Sequence, residues 1–119
     1  MSTSQPRRMA QIIRLKRDSL QAYKECHKAI WPSIAKQIRD SNISDYSIYL
    51  DEGSMVLFAT MKYTGNDFEA DMERMKQDPE TQRWWQMTDG MQESFVEGST
   101  GSKDSRGWWK PLEEVFRQE

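Results

Sequence analysis

The chain has one cysteine and one histidine, Cys26 and His27, among its 119 residues. A single cysteine cannot close a disulfide within the chain. The two residues are also too few for a zinc or iron–sulfur site built from several thiolates and imidazoles. The first residues lack the apolar core of a secretory signal peptide. We therefore expect a protein of the reducing cytoplasm, with no metal centre of this kind.

Long apolar runs and an excess of either charge are also absent. No stretch of the sequence approaches the roughly 20 apolar residues of a membrane-spanning helix. The 17 lysines and arginines nearly balance the 19 aspartates and glutamates, which gives a net charge of −2, whereas nucleic-acid binders usually carry a clear basic excess. The sequence accordingly predicts neither a membrane nor a nucleic-acid partner.

Aromatic residues, by contrast, are plentiful: five Trp, four Tyr and four Phe. Disordered chains are usually poor in aromatic residues, so this content indicates a folded domain, and the length is typical of one domain. We expect the polar residues 1–8 to form a disordered tail and residues 9–119 to form the domain. Within it, residues 94–107 hold three of the six glycines and no proline, which predicts a flexible loop.

Hydrophobic periodicity divides the domain into strands and helices. The predicted strands occupy 9–17, 44–51, 55–63 and a short final stretch with Leu112, Val115 and Phe116. The predicted helices occupy 19 to about 40, 67–77 and a segment that starts at Pro79. Proline cannot continue a regular helix, so we expect Pro32 to kink or split the first of these helices.

The order β-α-β-β-α-(α)-β is typical of an α+β fold of the ferredoxin-like, split β-α-β type. Such a fold is an antiparallel sheet with helices on one face. Its other face needs cover, and in a chain this small a second copy supplies it most simply, sheet against sheet. We therefore expect a homodimer, arranged as a dimeric α/β barrel.

The histidine is the first candidate for chemistry. His27 lies on the apolar face of the first predicted helix, one turn from both Tyr23 and Trp31. Histidine titrates near neutral pH, so a general acid or base is one interpretation. A buried histidine with one nitrogen hydrogen-bonded is the other, and composition alone favours it. The sequence gives little support to His27 as a metal ligand, because no carboxylate follows it three or four residues later.

The adjacent pair Trp84-Trp85 is the second candidate. Neighbouring residues on a helix point about 100° apart, so both indoles cannot be buried in the same direction. One can enter the core while the other lines a cleft, where a flat indole suits the C–H face of a sugar. Two tryptophans in the core or at a dimer interface are the alternative. The same two interpretations apply to Trp108-Trp109.

Tyr46 is the third candidate. It shares one face of its predicted strand with Ile48 and Leu50, while Tyr49 lies on the other face. A phenol on the inner face can donate a hydrogen bond to a ligand oxygen or accept one from it. An ordinary strand aromatic with no ligand is the alternative interpretation.

Four short motifs stand in a fixed order over roughly residues 9–117. They are Tyr23 with His27-Lys28-Ala29-Ile30-Trp31-Pro32, Asp45-Tyr46-Ser47-Ile48-Tyr49-Leu50, Gln82-Arg83-Trp84-Trp85 with Met87-Thr88-Asp89, and Leu112-Glu113-Glu114-Val115-Phe116. Together they resemble the L-rhamnose mutarotase family. The combination is specific, although no single motif is.

The resemblance implies a dimeric ferredoxin-like α/β barrel without a metal or an organic cofactor. It places the family's acid/base histidine on His27, its sugar-contacting tyrosines on Tyr23 and Tyr46, and its tryptophan pair on Trp84 and Trp85. Two features depart from the family pattern. Lys28-Ala29 replaces the Asn-Pro that often follows the histidine in bacterial members, and the segment between Met91 and Leu112 is longer. The longer segment leaves the identity of the sugar open, because it can reshape the pocket mouth.

The implied activity is that of an isomerase, an aldose mutarotase that interconverts the α and β anomers of a 6-deoxy sugar such as L-rhamnose. One group takes the anomeric proton while another donates to the ring oxygen, and a histidine with a pKa near the working pH can do both. A monosaccharide is therefore the expected partner. Two alternatives remain: cofactor-free, oxygenase-like chemistry on an aromatic substrate in the same barrel, and a sugar-binding module without catalysis.

Overall fold

The computed structural model describes residues 7–119 of the chain. Five strands and four α-helices are present in that part: β1 (Arg7–Leu15), α1 (Leu20–Lys28), α2 (Pro32–Asp40), β2 (Ile43–Asp51), β3 (Val56–Tyr63), α3 (Phe68–Gln77), α4 (Pro79–Asp89), β4 (Gln92–Glu93) and β5 (Lys110–Pro111). A single 3-10 turn, Arg17–Ser19, connects β1 to α1. None of these helices is long and apolar enough to cross a membrane.

The five strands form one antiparallel sheet in the order β2-β3-β1-β4, with β5 also paired to β1. This is the strand order of the ferredoxin-like fold, so the predicted α+β class and topology are confirmed. The edge beside β1 is shared by two short strands: β4 pairs with Arg14 and Leu15, and β5 pairs with Gln11 and Ile12. Residues 94–109 therefore interrupt a single edge strand.

The predicted break in the first helix is confirmed. Helix α1 ends at Lys28, and α2 begins at Pro32. Proline suits the first helical turn, because the N–H it lacks would have no partner there. The same rule places Pro79 at the start of α4, where the Asp78 carboxylate also accepts hydrogen bonds from the backbone N–H and the hydroxyl of Thr81.

Strand alternation separates a buried face of the sheet from an exposed one. Ile13, Leu15 and Leu57 are almost fully buried and form the core together with Tyr23 from α1 and Met55. The opposite face carries a row of apolar residues that runs across three strands, since Phe58 pairs with both Ile12 and Tyr49. Phe58 is 40% exposed and Tyr49 is 62% exposed, so most of this row faces solvent in the described chain, while Ile12 is partly buried.

Two predicted boundaries differ from the structure. The final strand expected around Leu112, Val115 and Phe116 is wrong: the strand is β5, and those three side chains are exposed. The spacing of these apolar residues resembles a strand in sequence, but the strand pairing with β1 extends only through Pro111. Strand β1 starts at Arg7, within the predicted tail 1–8, because Arg7 pairs with Tyr63. Residues 1–6 of that tail lie outside the described residues.

A buried carboxylate joins α3 to the sheet. One oxygen of Asp71 accepts hydrogen bonds from the Tyr63 hydroxyl at 2.5 Å and from the Asn42 amide at 2.9 Å, and the other pairs with Arg74 at 2.8 Å. These donors favour the charged form and lower the pKa of Asp71 to about 2. The cluster thus ties α3 to β3 and to the turn before β2.

This cluster makes a prediction about acid stability. The folded-state pKa of Asp71 lies below its ordinary value of 3.8, so its stabilisation is complete above that value and is lost as the pH falls towards about 2. We expect Asp71→Asn to unfold at a lower temperature than the unmodified chain at pH 7. This gap should shrink between pH 4 and pH 2 in thermal melts. Asp18→Asn, on the exposed turn before α1, is the control, and a gap that does not depend on pH would contradict the prediction.

Candidate functional site

Helix α1 places Tyr23 and His27 one turn apart, with their rings stacked at a centroid distance of 4.1 Å. The Nδ1 atom of His27 lies 2.9 Å from the backbone carbonyl oxygen of Tyr23. A carbonyl oxygen can only accept, so Nδ1 must carry the hydrogen and Nε2 must have the free lone pair in the neutral ring. The helix therefore fixes the tautomer that can accept a proton at Nε2.

Burial also controls the charge of this histidine. It lowers the pKa of His27 below 6.5, and the bond to the Tyr23 carbonyl opposes only part of that shift. The ring is therefore neutral at pH 7. Its neighbour Cys26 places Sγ 3.3 Å from both Nδ1 and the Tyr23 carbonyl oxygen, and burial raises the pKa of the Cys26 thiol. The thiol thus stays protonated beside the ring.

The tryptophan pair separates as its spacing on a helix predicts. Trp84 is buried in α4, and its ring meets His27 edge-on at 5.2 Å and Trp31 at 5.1 Å between centroids. Trp85 is half-buried and faces a cavity. One indole thus packs against the histidine, and the other lines the cavity.

A cavity of about 370 Å³ lies between the sheet and the helices, within the range typical of small-molecule sites. Three of the predicted site residues line it: Tyr46, Trp84 and Trp85. Tyr46 lies in a β-bulge, where the pairing of β2 with β3 shifts between Ser44 and Ser47, and bulges commonly re-aim side chains at functional sites.

The other two predicted residues, Tyr23 and His27, line an adjoining cavity of about 310 Å³. The structure therefore does not bring all five residues into one cavity. Trp84, which lines the first cavity and touches His27, forms the connection between them. A wider groove of about 640 Å³ on the outer side of α4 includes only Trp85 of the five.

Both tyrosines of the site are held in the neutral form. Burial of its hydroxyl group raises the pKa of Tyr46 to about 12. The 38% exposure of this tyrosine is an average over the whole residue. Burial also raises the pKa of Tyr23 well above its ordinary value, and the nearby Tyr46 adds to this shift. Neutral phenols can donate a hydrogen bond to a ligand oxygen at any working pH.

The structure adds Gln92 and Trp108, which the sequence did not single out as a pair. The Trp108 indole N–H donates to Gln92 Oε1 at 2.9 Å, and Gln92 Nε2 donates to the Tyr23 hydroxyl oxygen at 3.3 Å. Trp108 and Trp109 also line the larger cavity. The sequence had marked Trp108 only as part of the pair Trp108-Trp109, and no feature of the sequence marked Gln92. Within residues 7–119, no three His, Cys, Asp or Glu side chains are grouped as metal ligands.

The fold and the site define a small α+β protein that holds a neutral histidine, two neutral tyrosines and an indole wall beside its cavities, a set suited to acid–base chemistry on a small hydroxylated molecule. The sequence model of the L-rhamnose mutarotase family matches residues 8–118. The chain belongs to the L-rhamnose mutarotase family.

Individual relatives agree with this assignment. The chain is 34% identical to the L-rhamnose mutarotase of Formosa agariphila over 113 residues, which cover 94% of this chain and 98% of the relative. It is 30% identical to the L-rhamnose mutarotase of Burkholderia ambifaria over 94 residues, 79% of this chain and 81% of the relative. The crystal structure of an L-rhamnose mutarotase from Formosa agariphila superposes with a TM-score of 0.73 at 29% identity, covering 95% of this chain and 99% of that chain.

Proposed function

We propose that this protein is an isomerase that interconverts the α and β anomers of a 6-deoxy sugar such as L-rhamnose, with His27 as its acid and base. The observation that carries the proposal is the fixed tautomer of His27, whose Nδ1 donates to the Tyr23 carbonyl and leaves Nε2 to accept a proton. A base must be neutral before it acts, and the lowered pKa of His27 meets that condition at neutral pH.

The reaction needs one proton to move between two oxygens of the sugar. Nε2 of His27 takes the proton of the anomeric hydroxyl, the bond between C1 and the ring oxygen breaks, and C1 becomes an aldehyde. His27 then returns the proton to the former ring oxygen. Rotation about the C1–C2 bond and the reverse steps close the ring on the other face of the aldehyde. The proton count is unchanged, and no oxidant or reductant takes part.

The remaining site residues would bind and orient the sugar. The neutral hydroxyls of Tyr23 and Tyr46 would donate hydrogen bonds to sugar oxygens and stabilise the charge that develops on the ring oxygen. Trp85 would stack on the C–H face of the sugar, and buried Trp84 would hold His27 in place. An uncharged monosaccharide needs no strong field, which agrees with the net charge of −2.

Saturation-transfer NMR of L-rhamnose tests this proposal. Irradiation of one anomeric proton transfers saturation to the other anomer only as fast as the two exchange, and catalytic amounts of the protein should increase that transfer. L-fucose and D-glucose in parallel would define the sugar preference. Saturable L-rhamnose binding without faster exchange would instead indicate a binding module, and thermal stabilisation by aromatic ligands alone would indicate oxygenase-like chemistry.

The proposal includes a homodimer formed through the exposed sheet face. The cross-strand row of Ile12, Phe58 and Tyr49 presents two exposed aromatic side chains, Phe58 and Tyr49, beside the partly buried Ile12. In addition, Val115 and Phe116, near the C-terminus, are 88% and 78% exposed. A second copy related by two-fold symmetry would cover the row with its own equivalent, as a self-complementary interface requires.

The dimer makes a direct prediction. Phe58→Glu places a carboxylate in the middle of the row, where two-fold symmetry would bring two such charges together without partners. We expect this variant to be monomeric at micromolar concentrations in light scattering coupled to size-exclusion chromatography. Ala22→Glu adds the same charge to the exposed side of α1 and should stay dimeric. A Phe58→Glu variant with the mass of a dimer would contradict this interface.

We also propose that the protein acts in the cytoplasm and without a nucleic-acid partner. The free Cys26 thiol, which lies against His27, would stay reduced in that compartment. The charge balance of the chain supplies no basic stripe for a phosphate backbone.

A further inference from the structure

We infer that Gln92 and Trp108 are positioning residues that fix the direction of the Tyr23 hydroxyl hydrogen, so that it points at the bound substrate. This inference rests on the proposed function, because it assigns the hydrogen of Tyr23 to a sugar oxygen. It concerns the edge segment between Met91 and Leu112, from which both residues come, and neither residue transfers a proton in the proposed reaction.

The direction of the hydrogen bonds follows from the chemistry of the first donor. An indole nitrogen has one hydrogen and no acceptor lone pair, so Trp108 Nε1 can only donate. Gln92 must therefore present its carbonyl oxygen to Trp108, at 2.9 Å, and its amide nitrogen to Tyr23, at 3.3 Å. An amide N–H donates, so the Tyr23 oxygen accepts on that side. The hydrogen of the Tyr23 hydroxyl is then free for another acceptor.

Both positioning residues are held rigidly. Gln92 is 4% exposed and belongs to β4, where it pairs with Leu15 of β1. The backbone carbonyl of Trp108 accepts a hydrogen bond from the Ser94 hydroxyl at 2.5 Å, and Ser94 in turn accepts one from the N–H of Val96. Turning the Gln92 amide over would place an N–H against the indole N–H and leave two donors facing each other at a part-buried position, which is costly.

The position of Tyr23 connects this chain of bonds to the reaction. Its ring stacks on His27 at 4.1 Å, and both residues line the same cavity. A sugar oxygen that accepts the Tyr23 hydrogen would therefore lie beside the imidazole. Without the direction set by Gln92, the hydroxyl could donate to a protein carbonyl or amide oxygen instead and would no longer stabilise charge on the substrate.

Two substitutions at Gln92 separate this role from simple packing. Gln92→Glu keeps the shape of the side chain but presents only acceptors when ionised. The Tyr23 hydroxyl therefore donates its hydrogen bond to the carboxylate instead of to the substrate. Gln92→Met removes both hydrogen bonds but leaves that hydrogen free. We expect kcat/KM for L-rhamnose anomer exchange to fall about tenfold in Gln92→Glu at pH 7.5, the size of one hydrogen bond, and to fall less in Gln92→Met. A packing role would reverse the order, since glutamate is the closer match in shape.

The pH profile supplies a second readout. When the introduced carboxylate takes up a proton, it can again donate to Tyr23, so the activity of Gln92→Glu relative to the unmodified enzyme should rise as the pH falls from 7.5 to 5. The titratable groups around Tyr23 are Cys26, His27 and Tyr46, and Lys24 and Lys28 line the same cavity. These groups are common to both proteins, so division by the unmodified profile removes their effect. Parallel profiles, or greater activity in Gln92→Glu than in Gln92→Met, would overturn the inference.

If the carboxylate of Gln92→Glu prevents folding, a second pair of variants tests the inference. Trp108→Phe keeps an aromatic ring but allows the Gln92 amide to turn, so kcat should fall with little change in KM. Adding Gln92→Met to Trp108→Phe then removes the competing acceptor, and the double variant should be faster than Trp108→Phe alone. A slower double variant would overturn the inference. If the unmodified protein does not accelerate exchange at all, the proposed function fails and the inference fails with it.

Discussion

Replacing His27 with asparagine is expected to slow L-rhamnose anomer exchange about 10²–10⁴-fold, the usual contribution of a positioned acid–base group. The asparagine amide can still donate to the Tyr23 carbonyl in place of Nδ1–H, so the end of α1 should keep its structure. No atom in the new side chain can then accept and return the proton. Saturation-transfer NMR at several temperatures would measure the rate, and an unchanged rate would contradict the role of His27.

The unmodified enzyme should show a matching dependence on pH. Burial lowers the pKa of His27 below 6.5, so the neutral base is the major form at and above neutral pH. We expect kcat/KM to be flat from about pH 7 upward and to fall as the pH drops through the lowered pKa, with the ordinary histidine value of about 6.5 as the upper bound. The residual rate of His27→Asn should lack this step. A step above pH 7 would indicate a different base.

Trp84→Ala is expected to be the most damaging substitution for stability in the site. Trp84 is 6% exposed and supports both His27 and Trp31. Removal of a buried tryptophan side chain costs about 3–5 kcal/mol, a large share of the roughly 5–15 kcal/mol that stabilises a typical domain. Urea unfolding should show the loss as a lower transition midpoint, and the exchange rate should fall because His27 loses its edge-on partner.

Trp85→Ala is the matched comparison, because it removes the same side chain one residue later. Trp85 is half-buried and lines the larger cavity, so we expect less than half of the stability loss seen for Trp84→Ala. Its main effect should be a higher KM, since a stacking surface contributes to binding in both the ground state and the transition state. Equal losses of stability in the two variants would contradict this division of roles.

Local patterns were sufficient for the central part of the fold. Pro32 and Pro79 mark helix starts because proline has no N–H to lose at those positions. The alternation of residues in β2 and β3 defines their buried faces, since strand side chains point to opposite sides. The tryptophan pair follows the same logic, because adjacent positions on a helix must diverge. These features depend on neighbours within a few residues, so one sequence contains the information.

The edge strand and the hydrogen bonds at Gln92 could not be predicted in this way. Gln92 is 69 residues from Tyr23 and 16 from Trp108, and no local period marks such pairs. Two-residue strands such as β4 and β5 are also too short to show alternation. The tautomer of His27 was partly predictable from the sequence. The helix brings the carbonyl of the residue four positions earlier within reach of the ring, but the side-chain rotamer determines that Nδ1 is the atom that donates to it.

The interrupted edge strand also makes this protein a suitable scaffold for engineering. Glu93 pairs with Arg14, and Lys110 pairs with Ile12, two residues away on β1. The two ends of segment 94–109 are therefore about 7 Å apart along the strand. The entropy of closing a loop depends only weakly on its length. Residues 94–109 can therefore be exchanged as a cassette, for segments of quite different length, while β1 keeps both ends in place. Because the cassette supplies Trp109 and Ser102 to the larger cavity, exchanges that keep Trp108 are expected to alter substrate preference while the hydrogen bonds from Trp108 through Gln92 to Tyr23 remain.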